Sequence, residues 1–444
     1  METRCKFWLP KKNRNCSNAC LKGSSFCGNH TQRSDEKWVQ CPVDPSHCVL
    51  EQNLEAHVRK CPLVKQVKSL AEQRYYQKGI NGGDWAGEVR QTIVSSETKR
   101  TAVYNMSVAQ FSDLLRRIEA VYASICGDIG ESYKVPEACG LWIKGEVDRN
   151  VPFQEKHVVQ QASILGNLEE LGVLEKFNES AEVDVGESND ENVPAVVEFG
   201  AGRGYLTQML ADCYGVKKVF LVERKAYKLK AERSLRQKES LIVERLKIDI
   251  EDLNLDAVES LWRKPYLAVG KHLCGPATDL TIKCTLRDKS NPVLSVNKNH
   301  CKRLHGLAIA TCCHHLCQWV HYANKKYFLN LGFTEDHFNA ITWFTSWAVD
   351  ADHGSNVVDA MDSRMTFQPS KEMNGRGTTV DDVVRSMSVT DRAILGFKCK
   401  EIIDMGRLLW LKEHTMESRL VKYVPSNISP ENHLLVARGS KHSL

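Results

Sequence analysis

The chain has 444 residues, a formal net charge of +5 at pH 7, and 42% hydrophobic against 26% charged residues. This composition is typical of globular proteins, and the length exceeds that of one ordinary domain. No apolar run approaches the roughly 18 residues that cross a bilayer, and the N-terminus lacks the apolar core of a secretory signal. We therefore expect a cytoplasmic or nuclear protein with reduced cysteines, no membrane partner and no obligate protein partner.

Cysteine and histidine are concentrated in the first 61 residues, which lack the apolar periodicity of a packed core. Two spacings stand out there, C-x10-C-x10-C-x2-H and C-x5-H-x9-H-x3-C. In a reduced chain such clusters indicate zinc, which would stabilise a segment without a core. We predict two zinc ions, one in a CCCH-type module over residues 1–35 and one in a CHHC-type finger over residues 38–65. The predicted ligands are Cys5, Cys16, Cys27 and His30, then Cys41, His47, His57 and Cys61, with Cys20 competing for a place in the first set.

The middle of the chain contains two amphipathic patterns and one acidic stretch. Residues 66–100 are predicted to be a linker, with a basic helix over residues 64–83. Helical spacing of apolar residues over 107–125 and 154–171 predicts two helices in a cap that covers residues 101–175. Residues 179–192 contain six acids and no base, which predicts a flexible spacer.

Beyond the spacer, residues 193–444 show the pattern of a catalytic α/β core. Short apolar runs at 194–199, 218–223, 265–270 and 307–312 alternate with helical stretches, which predicts a parallel sheet with helices on both faces. A polar insertion near residues 350–385 is followed by a predicted helix over 389–414. Two last strands, 419–424 and 433–437, are predicted to form an antiparallel edge pair.

The first strand of this core leads into a glycine loop, from Glu198 through Gly200, Gly202 and Gly204. Glycines permit a tight turn and let a ligand approach the backbone. The next strand ends in Glu223, where a carboxylate can accept both hydroxyls of a ribose, and the third strand candidate ends at Asp249. Both acids could instead cap the helices that follow them. The pattern resembles the first motif of class I S-adenosylmethionine methyltransferases, and it predicts cofactor contacts at Glu198, Gly200, Gly202, Gly204, Glu223 and Asp249.

Titratable residues crowd the loops that follow the fourth and fifth strands. The first of these loops holds Lys271 and His272, the second holds His314 and His315, and these four are the candidate catalytic residues. Neither contains the Asp/Asn-Pro-Pro-Tyr signature of exocyclic nitrogen methylation, which favours transfer to a hydroxyl. We predict that His314 or His315 accepts the hydroxyl proton and that Lys271 is a positioning residue, because a lysine must first lose its own proton.

Cysteines beside these loops leave other interpretations open. Cys274 or Cys312 could add to a pyrimidine ring, as the nucleophile of a carbon-5 RNA methyltransferase does, or could pack under a loop. A metal site made of residues 312–315 and Cys317 is disfavoured, because such tightly clustered residues cannot all ligate tetrahedrally. A zinc-dependent RNA-binding adaptor with a degenerate methyltransferase core is the alternative from another class, and the intact acids beside the glycines disfavour it.

Basic residues are unevenly distributed along the chain. Residues 1–33 hold seven Lys and Arg against one acid, and residues 217–247 hold eleven against four. Such clusters indicate a polyanionic partner, although a solvated helix face also produces them. Charge alone therefore does not decide whether the chain binds nucleic acid.

In combination, these motifs resemble the eukaryotic tRNA 2′-O-methyltransferases that act on position four of the acceptor stem. That family carries a CCCH module followed by a CHHC finger, as this chain does. The resemblance continues through Lys156-His157-Val158-Val159, Gly270-Lys271-His272-Leu273-Cys274-Gly275, Cys312-Cys313-His314-His315, Cys399-Lys400 and Ser429-Pro430-Glu431-Asn432. It implies a class I (Rossmann-like) methyltransferase fold behind two zinc modules, S-adenosyl-L-methionine as methyl donor, and tRNA as substrate. The fingers and the basic stretch after Glu223 would then hold phosphates. The acidic spacer and the insertion depart from the family pattern, at places where loops tolerate added length.

Overall fold

The computed structural model describes most of the chain, in two compact units, Met1–Gln73 and Arg74–Leu444. The described residues are 4–9, 14–21, 23–27, 30, 37–43, 48–82, 93–127, 129–147, 154–174, 194–224, 241–262, 264–286, 303–350 and 379–439. The predicted ligand His47, the acidic spacer, the basic stretch 225–240 and most of the insertion lie outside them. Within these ranges no helix has both the length and the apolar character needed to cross a membrane.

The first unit is built from short elements around its cysteines. Strand β1 (Trp8–Leu9) pairs with β2 (Arg14–Asn15), and β3 (Trp38–Gln40) pairs with β4 (Cys48–Leu50), both antiparallel. Helices α1 (Leu54–Lys60) and α2 (Pro62–Ala71) follow. The buried cluster of the first module consists of cysteines rather than aliphatic side chains. As expected from its sequence, this segment has no hydrocarbon core of its own among the described residues.

The predicted basic helix over residues 64–83 is shorter than expected. It ends at Ala71, because the residues after Gln73 belong to the second unit and bind a turn there. The Gly79 amide donates to Asp252 Oδ1 at 2.7 Å. The Asn81 side-chain amide donates to the carbonyl oxygens of Ile250 and Leu253, at 2.6 and 2.8 Å. We call residues 76–82 the strap.

A seven-stranded sheet forms the centre of the second unit. Its strands are β5 (Ala195–Phe199), β6 (Lys218–Val222), β7 (Ile242–Leu246), β8 (Pro265–Cys274), β9 (Arg303–Cys312), β10 (Glu417–Lys422) and β11 (His433–Arg438). The order across the sheet is β10-β11-β9-β8-β5-β6-β7, and β11 runs antiparallel to both its neighbours while the other pairs are parallel. The winding therefore reverses between β5 and β8, which is where open α/β sheets bind ligands. The predicted α/β class is confirmed, and so is the antiparallel pairing of the last two strands.

Two hydrophobic clusters stabilise this unit: one packs helices against strands of the sheet, and the other lies among helices. The predicted cap helices are confirmed as α4 (Val108–Ile125), which starts with a capping box at Ser107, and α6 (Glu155–Glu170). The predicted helix 389–414 is confirmed as α13. The full set in this unit is α3 (Ser96–Tyr104), α4, α5 (Gly140–Ile143), α6, α7 (Tyr205–Tyr214), α8 (Pro276–Thr285), α9 (Lys325–Asn330), α10 (Glu335–Phe344), α11 (Trp347–Asp350), α12 (Val380–Ser386) and α13 (Val389–Glu413).

A buried polar network joins α13 to the ends of two strands. Asp404 of α13 is fully buried and accepts hydrogen bonds from Thr311 in β9 and His433 in β11, at 2.8 and 2.9 Å. It also accepts from His314 and Arg407, at 2.9 and 2.8 Å. Burial alone opposes ionisation, but His314, His433 and Arg407 outweigh it and hold the pKa of Asp404 well below its usual range.

We predict that Asp404→Ala lowers the free energy of unfolding by about 3–5 kcal/mol, because it leaves buried Arg407 and His314 without their shared carboxylate. Since the lowered pKa of Asp404 stabilises the fold above the ordinary aspartate pKa, this difference should shrink as the pH falls through the lowered value. Urea unfolding followed by tryptophan fluorescence measures the effect. Exposed Glu413→Ala on the same helix is the control, and equal stability of the two variants would contradict the prediction.

Candidate functional site

A cavity of about 810 Å³ opens at the carboxyl ends of β5, β6, β7 and β8. Its size and its place at the switch in winding are typical of small-molecule sites. The predicted cofactor residues that line the cavity are Glu198, Gly200, Gly202, Glu223 and Asp249. Gly204 is the residue from which helix α7 begins, directly behind the loop. The structure therefore brings the predicted cofactor residues together.

The glycine loop adopts a backbone conformation that side chains disfavour. Gly200, Gly202 and Gly204 have φ angles of 60°, 51° and 79°. A Cβ atom on Gly200 would lie 2.9 Å from Leu273 Cδ2, so a larger residue would have to displace the Leu273 side chain. The Gly202 amide donates to Glu223 Oε2 at 3.1 Å, which ties the loop to the end of β6. The loop is thus held curled against the cavity.

The three predicted acids also have structural partners. Glu198 is buried and accepts hydrogen bonds from the backbone amide and the hydroxyl of Thr207, which attaches the first turn of α7 to β5. Burial raises the pKa of Glu198 to about 7 against these hydrogen bonds. Asp249 accepts from the Glu251 amide and forms an ion pair with Arg224, both at 3.1 Å. Asp249 therefore caps the following turn, as one interpretation expected, and lines the cavity as well.

Two buried polar atoms in the cavity wall indicate that a polar ligand fits there. The Tyr205 phenol oxygen and His321 Nδ1 are buried and have no hydrogen-bond partner among the described residues. Buried polar atoms normally meet a protein group, water or a ligand. Apolar side chains of Trp142, Ile250 and Leu280 complete the wall. Acids, a curled loop and apolar surface together suit a nucleoside-containing cofactor such as S-adenosylmethionine.

Lys271 and His272 face this same cavity. The pairing of β8 with β9 passes from Gly270 opposite Ile309 to Leu273 opposite Thr311, so β8 holds one extra residue at this point. Such bulges redirect side chains and are common beside active sites.

The Lys271 amine lies 3.1 Å from Nδ1 of His157, on α6. Burial lowers the pKa of Lys271 to about 8, and burial with the neighbouring Lys271 lowers that of His272 to about 4. Burial lowers the pKa of His157 as well. Near neutral pH both histidines are therefore uncharged, and Lys271 can release its proton more readily than an exposed lysine.

The structure does not place His314 at the cavity. Only 1% of His314 is exposed, and its two ring nitrogens face Asp404 at 2.9 Å and Glu431 at 3.4 Å. Burial opposes its protonation, but these carboxylates raise its pKa. The predicted role of His314 as a neutral proton acceptor is therefore not supported, because the ring points inward between two carboxylates. His315 is half-buried and is not among the residues that line the cavity.

Among the cavity residues that were not expected from the sequence are His157, Tyr205 and His321. His157 belongs to a stretch that carried the family resemblance, but nothing in its local sequence connects it with Lys271, which is 114 positions away. Tyr205 stands next to the glycine loop, which was an available signal. His321 follows β9 with no local pattern that marks it.

The first metal set has the geometry of a zinc site. Nδ1 of His30 lies 3.4 Å from the sulfurs of Cys5 and Cys27, and the sulfurs of Cys16 and Cys27 are 4.0 Å apart. The zinc bond lengths of a tetrahedral site place two sulfurs about 3.8 Å apart and a sulfur and a nitrogen about 3.5 Å apart. The four predicted ligands of this set therefore fit one ion, and Cys20 packs beside them.

The described residues of the second metal set also fit a zinc site. The ligand atoms of Cys41, His57 and Cys61 converge, with the two sulfurs 4.0 Å apart. His57 lies in α1 and Cys61 directly follows its last residue, so the two ligands are one helical turn apart. The fourth predicted ligand, His47, lies outside the described residues. Cys48 is exposed and is not part of the set.

Comparison with known proteins gives three family matches. The family described as "Methyltransferase TRM13" matches residues 159–438. The families "CCCH zinc finger in TRM13 protein" and "U11-48K-like CHHC zinc finger" match residues 3–31 and 38–62. These limits agree with the two predicted zinc modules and with most of the second unit.

Curated relatives match over most of their own length. The "tRNA:m(4)X modification enzyme TRM13" of Oryza sativa subsp. japonica is 52% identical over 51% of this chain and 91% of the relative. The homologue of that enzyme in Mus musculus is 28% identical over 98% of this chain and 94% of the relative. The enzyme of Saccharomyces cerevisiae is 24% identical over 97% of this chain and 94% of the relative.

We predict that Cys16→Ser and Cys61→Ser each remove one equivalent of zinc from the purified full-length protein, because each loses one of four ligands. Metal analysis by mass spectrometry, on protein prepared without chelators, measures the loss. Cys48→Ser is the matched control and should keep the wild-type zinc content. Unchanged zinc in either ligand variant would show that the corresponding set does not hold the metal.

Proposed function

Because this chain belongs to the TRM13 methyltransferase family, we propose that it methylates tRNA, at the ribose 2′-oxygen of nucleotide four in the acceptor stem. The relatives' names support tRNA as the substrate. The observation that carries the reaction is one cavity with both a cofactor wall, formed by the glycine loop and Glu223, and a buried amine, Lys271, on the acceptor side. A degenerate core would not be expected to keep both.

The cofactor wall is proposed to bind S-adenosylmethionine, which supplies an electrophilic methyl group when bound. In this proposal Glu223 accepts the ribose hydroxyls of the cofactor, and its Oε2 also accepts the hydrogen bond of the Gly202 amide. The positive-φ glycines let the loop backbone approach the amino-acid end of the cofactor. Asp249 and Ile250 line the part of the cavity beyond β7, where the adenine would lie.

We assign the proton-accepting role to Lys271 in place of the histidine pair. A ribose hydroxyl is a very weak acid, so alignment of the hydroxyl contributes more than early proton removal, and the acceptor needs only a free electron pair as the methyl transfers. Neutral Lys271 offers such a pair. When Lys271 takes up the proton, the negative charge of Glu198 stabilises the ammonium group. His157 Nδ1 lies 3.1 Å from the Lys271 Nζ atom.

Recognition of the tRNA is proposed to use both units. A paired acceptor stem is recognised mainly by its shape and backbone rather than by its base edges. The basic residues of the first module and the basic stretch after Glu223 supply charges that can contact phosphates. In this proposal the zinc modules contribute tRNA affinity and the cavity supplies the chemistry.

The position and the atom of methylation can be tested with two synthetic tRNAs. One carries a ribose and the other a 2′-deoxyribose at nucleotide four, and each is incubated with protein and S-adenosylmethionine. Mass spectrometry of the nucleosides should show a 2′-O-methylnucleoside from the first and no product from the second. A methylated base in the deoxy substrate would contradict the proposal and favour the carbon-5 reaction with Cys274 or Cys312 as nucleophile.

We predict that Lys271→Met lowers the single-turnover rate by about 10²- to 10⁴-fold, the usual contribution of a general base. The wild-type rate should rise about tenfold per pH unit below pH 8 and level off above it, because only the neutral amine accepts the proton and its pKa is about 8. Rates are measured with saturating tRNA and cofactor.

The matched control for this series is His315→Ala, which should keep a near-normal rate. If Lys271→Met keeps the wild-type rate and pH profile while His315→Ala is inactive, the histidine carries the chemistry. His314→Ala is not a suitable control, because it disturbs the buried network around Asp404.

A further inference from the structure

Three cysteine thiols converge at the acceptor side of the cavity. Cys274 is the last residue of β8, Cys312 is the last residue of β9, and Cys313 follows it. Their sulfurs all lie within 4.8 Å of one another, and those of Cys274 and Cys312 are 3.5 Å apart. Cys274 is exposed and lines the cavity, whereas Cys312 is buried. We call these residues the thiol cluster.

The backbone is shaped to bring these thiols together. Cys274 and Cys312 are direct neighbours in the pairing of β8 with β9. Successive residues of a strand point to opposite faces, so Cys313 could not join Cys312 if the strand continued. Cys313 has a φ of 50°, one of two positive values among the described residues other than glycine. Residues held in that conformation cluster at ligand sites, where the surrounding structure enforces them.

The backbone at Gly275, which directly follows Cys274, is also fixed by its surroundings. Gly275 has a φ of 52°, and its amide donates to the Cys312 carbonyl oxygen at 3.1 Å. A Cβ atom on Gly275 would lie 2.6 Å from Leu316 Cβ. The two strand ends are therefore locked together, and the thiols are positioned before any ligand binds.

We propose that the thiol cluster binds a third zinc ion, with three thiolate ligands and a fourth position open to the cavity. The 3.5 Å separation of Cys274 and Cys312 is close to the edge of about 3.8 Å of a tetrahedral zinc–thiolate site. Three protein ligands with one open position is the arrangement of zinc sites that meet a substrate or water. Because Cys274 lines the cavity, the open position faces the space where the methyl acceptor would lie.

This ligand set differs from the set of residues 312–315 and Cys317, which the sequence disfavoured as a metal site. His314 is committed to Asp404, and the Cys317 sulfur accepts a hydrogen bond from Arg407 at 3.2 Å. Neither is available to a metal at the cavity. Cys274, which is 38 residues from Cys312 along the chain, replaces them.

A second group of potential ligands nearby does not suit a metal. His314, Asp404 and His433 also converge, but both histidines hydrogen-bond the Asp404 carboxylate at 2.9 Å. The Arg407 guanidinium lies 2.8 Å from the other carboxylate oxygen, so a cation is already present there. The thiol cluster is therefore the better metal site of the two.

The test uses the full-length protein with both N-terminal sites removed by Cys16→Ser and Cys61→Ser. This double variant should still hold one equivalent of zinc, and adding Cys312→Ser should remove it. Adding Cys213→Ser instead, a half-buried cysteine outside the cluster, is the matched control and should leave the equivalent bound. Circular dichroism checks that each variant keeps its helical content.

A second measurement keeps the proposal testable if Cys312→Ser fails to fold. In the wild-type protein, iodoacetamide should alkylate Cys274 at least tenfold faster after zinc is removed by a chelator, because a ligated thiolate is protected. Absence of the residual zinc equivalent in the double variant would overturn the proposal. A Cys274–Cys312 disulfide in non-reduced peptides of metal-containing protein would overturn it too and would identify the pair as a redox couple.

Discussion

The carboxylate of Asp404 is the contact on which the acceptor side of the catalytic unit depends. It sits fully buried on α13 and binds donors from β9, from β11, from the turn after β9 and from its own helix. Such a group is stable only when every lone pair is satisfied and a positive charge lies nearby. Arg407 supplies that charge, and it also binds Asp279 of α8. The network brings into contact residues from motifs that are far apart along the chain. His314 lies 3.4 Å from Glu431, and Lys400 lies 3.2 Å from the same carboxylate.

The two units are stabilised by different physics. In the first, the described buried side chains of the leading module are metal-binding cysteines, so the free energy of zinc binding is also folding free energy. In the second, two hydrophobic clusters and a seven-stranded sheet supply a core of ordinary size. Loss of zinc should therefore unfold the first unit and leave the second folded.

Much of the fold follows from local patterns, since apolar runs and helical spacing depend on burial alone. The strands and the helices α4, α6 and α13 lie close to their predicted limits for this reason. The cavity residues around the glycine loop were also predictable, because the loop and the acid after β6 are adjacent to the strands that position them. The orientations of the Lys271 and His314 side chains were not predictable. Whether each side chain points to the cavity depends on a one-residue bulge in β8 and on a carboxylate 90 positions away. The early end of the helix at Ala71 likewise depends on a distant turn, which captures the strap.

The strap has a consequence for how the unit responds to its ligand. Its contacts with the carbonyl oxygens of Ile250 and Leu253 and with Asp252 hold the turn that carries two cavity residues, Ile250 and Glu251. Opening of the strap must therefore disturb one wall of the cavity. A ligand that contacts this wall makes opening less favourable, by the binding free energy that opening would remove. Solvent exchange of the amide hydrogens of residues 77–82 should therefore respond to occupancy of the cavity, although none of these residues lines it. Hydrogen exchange in the strap would therefore indicate whether the cavity of the second unit holds a ligand.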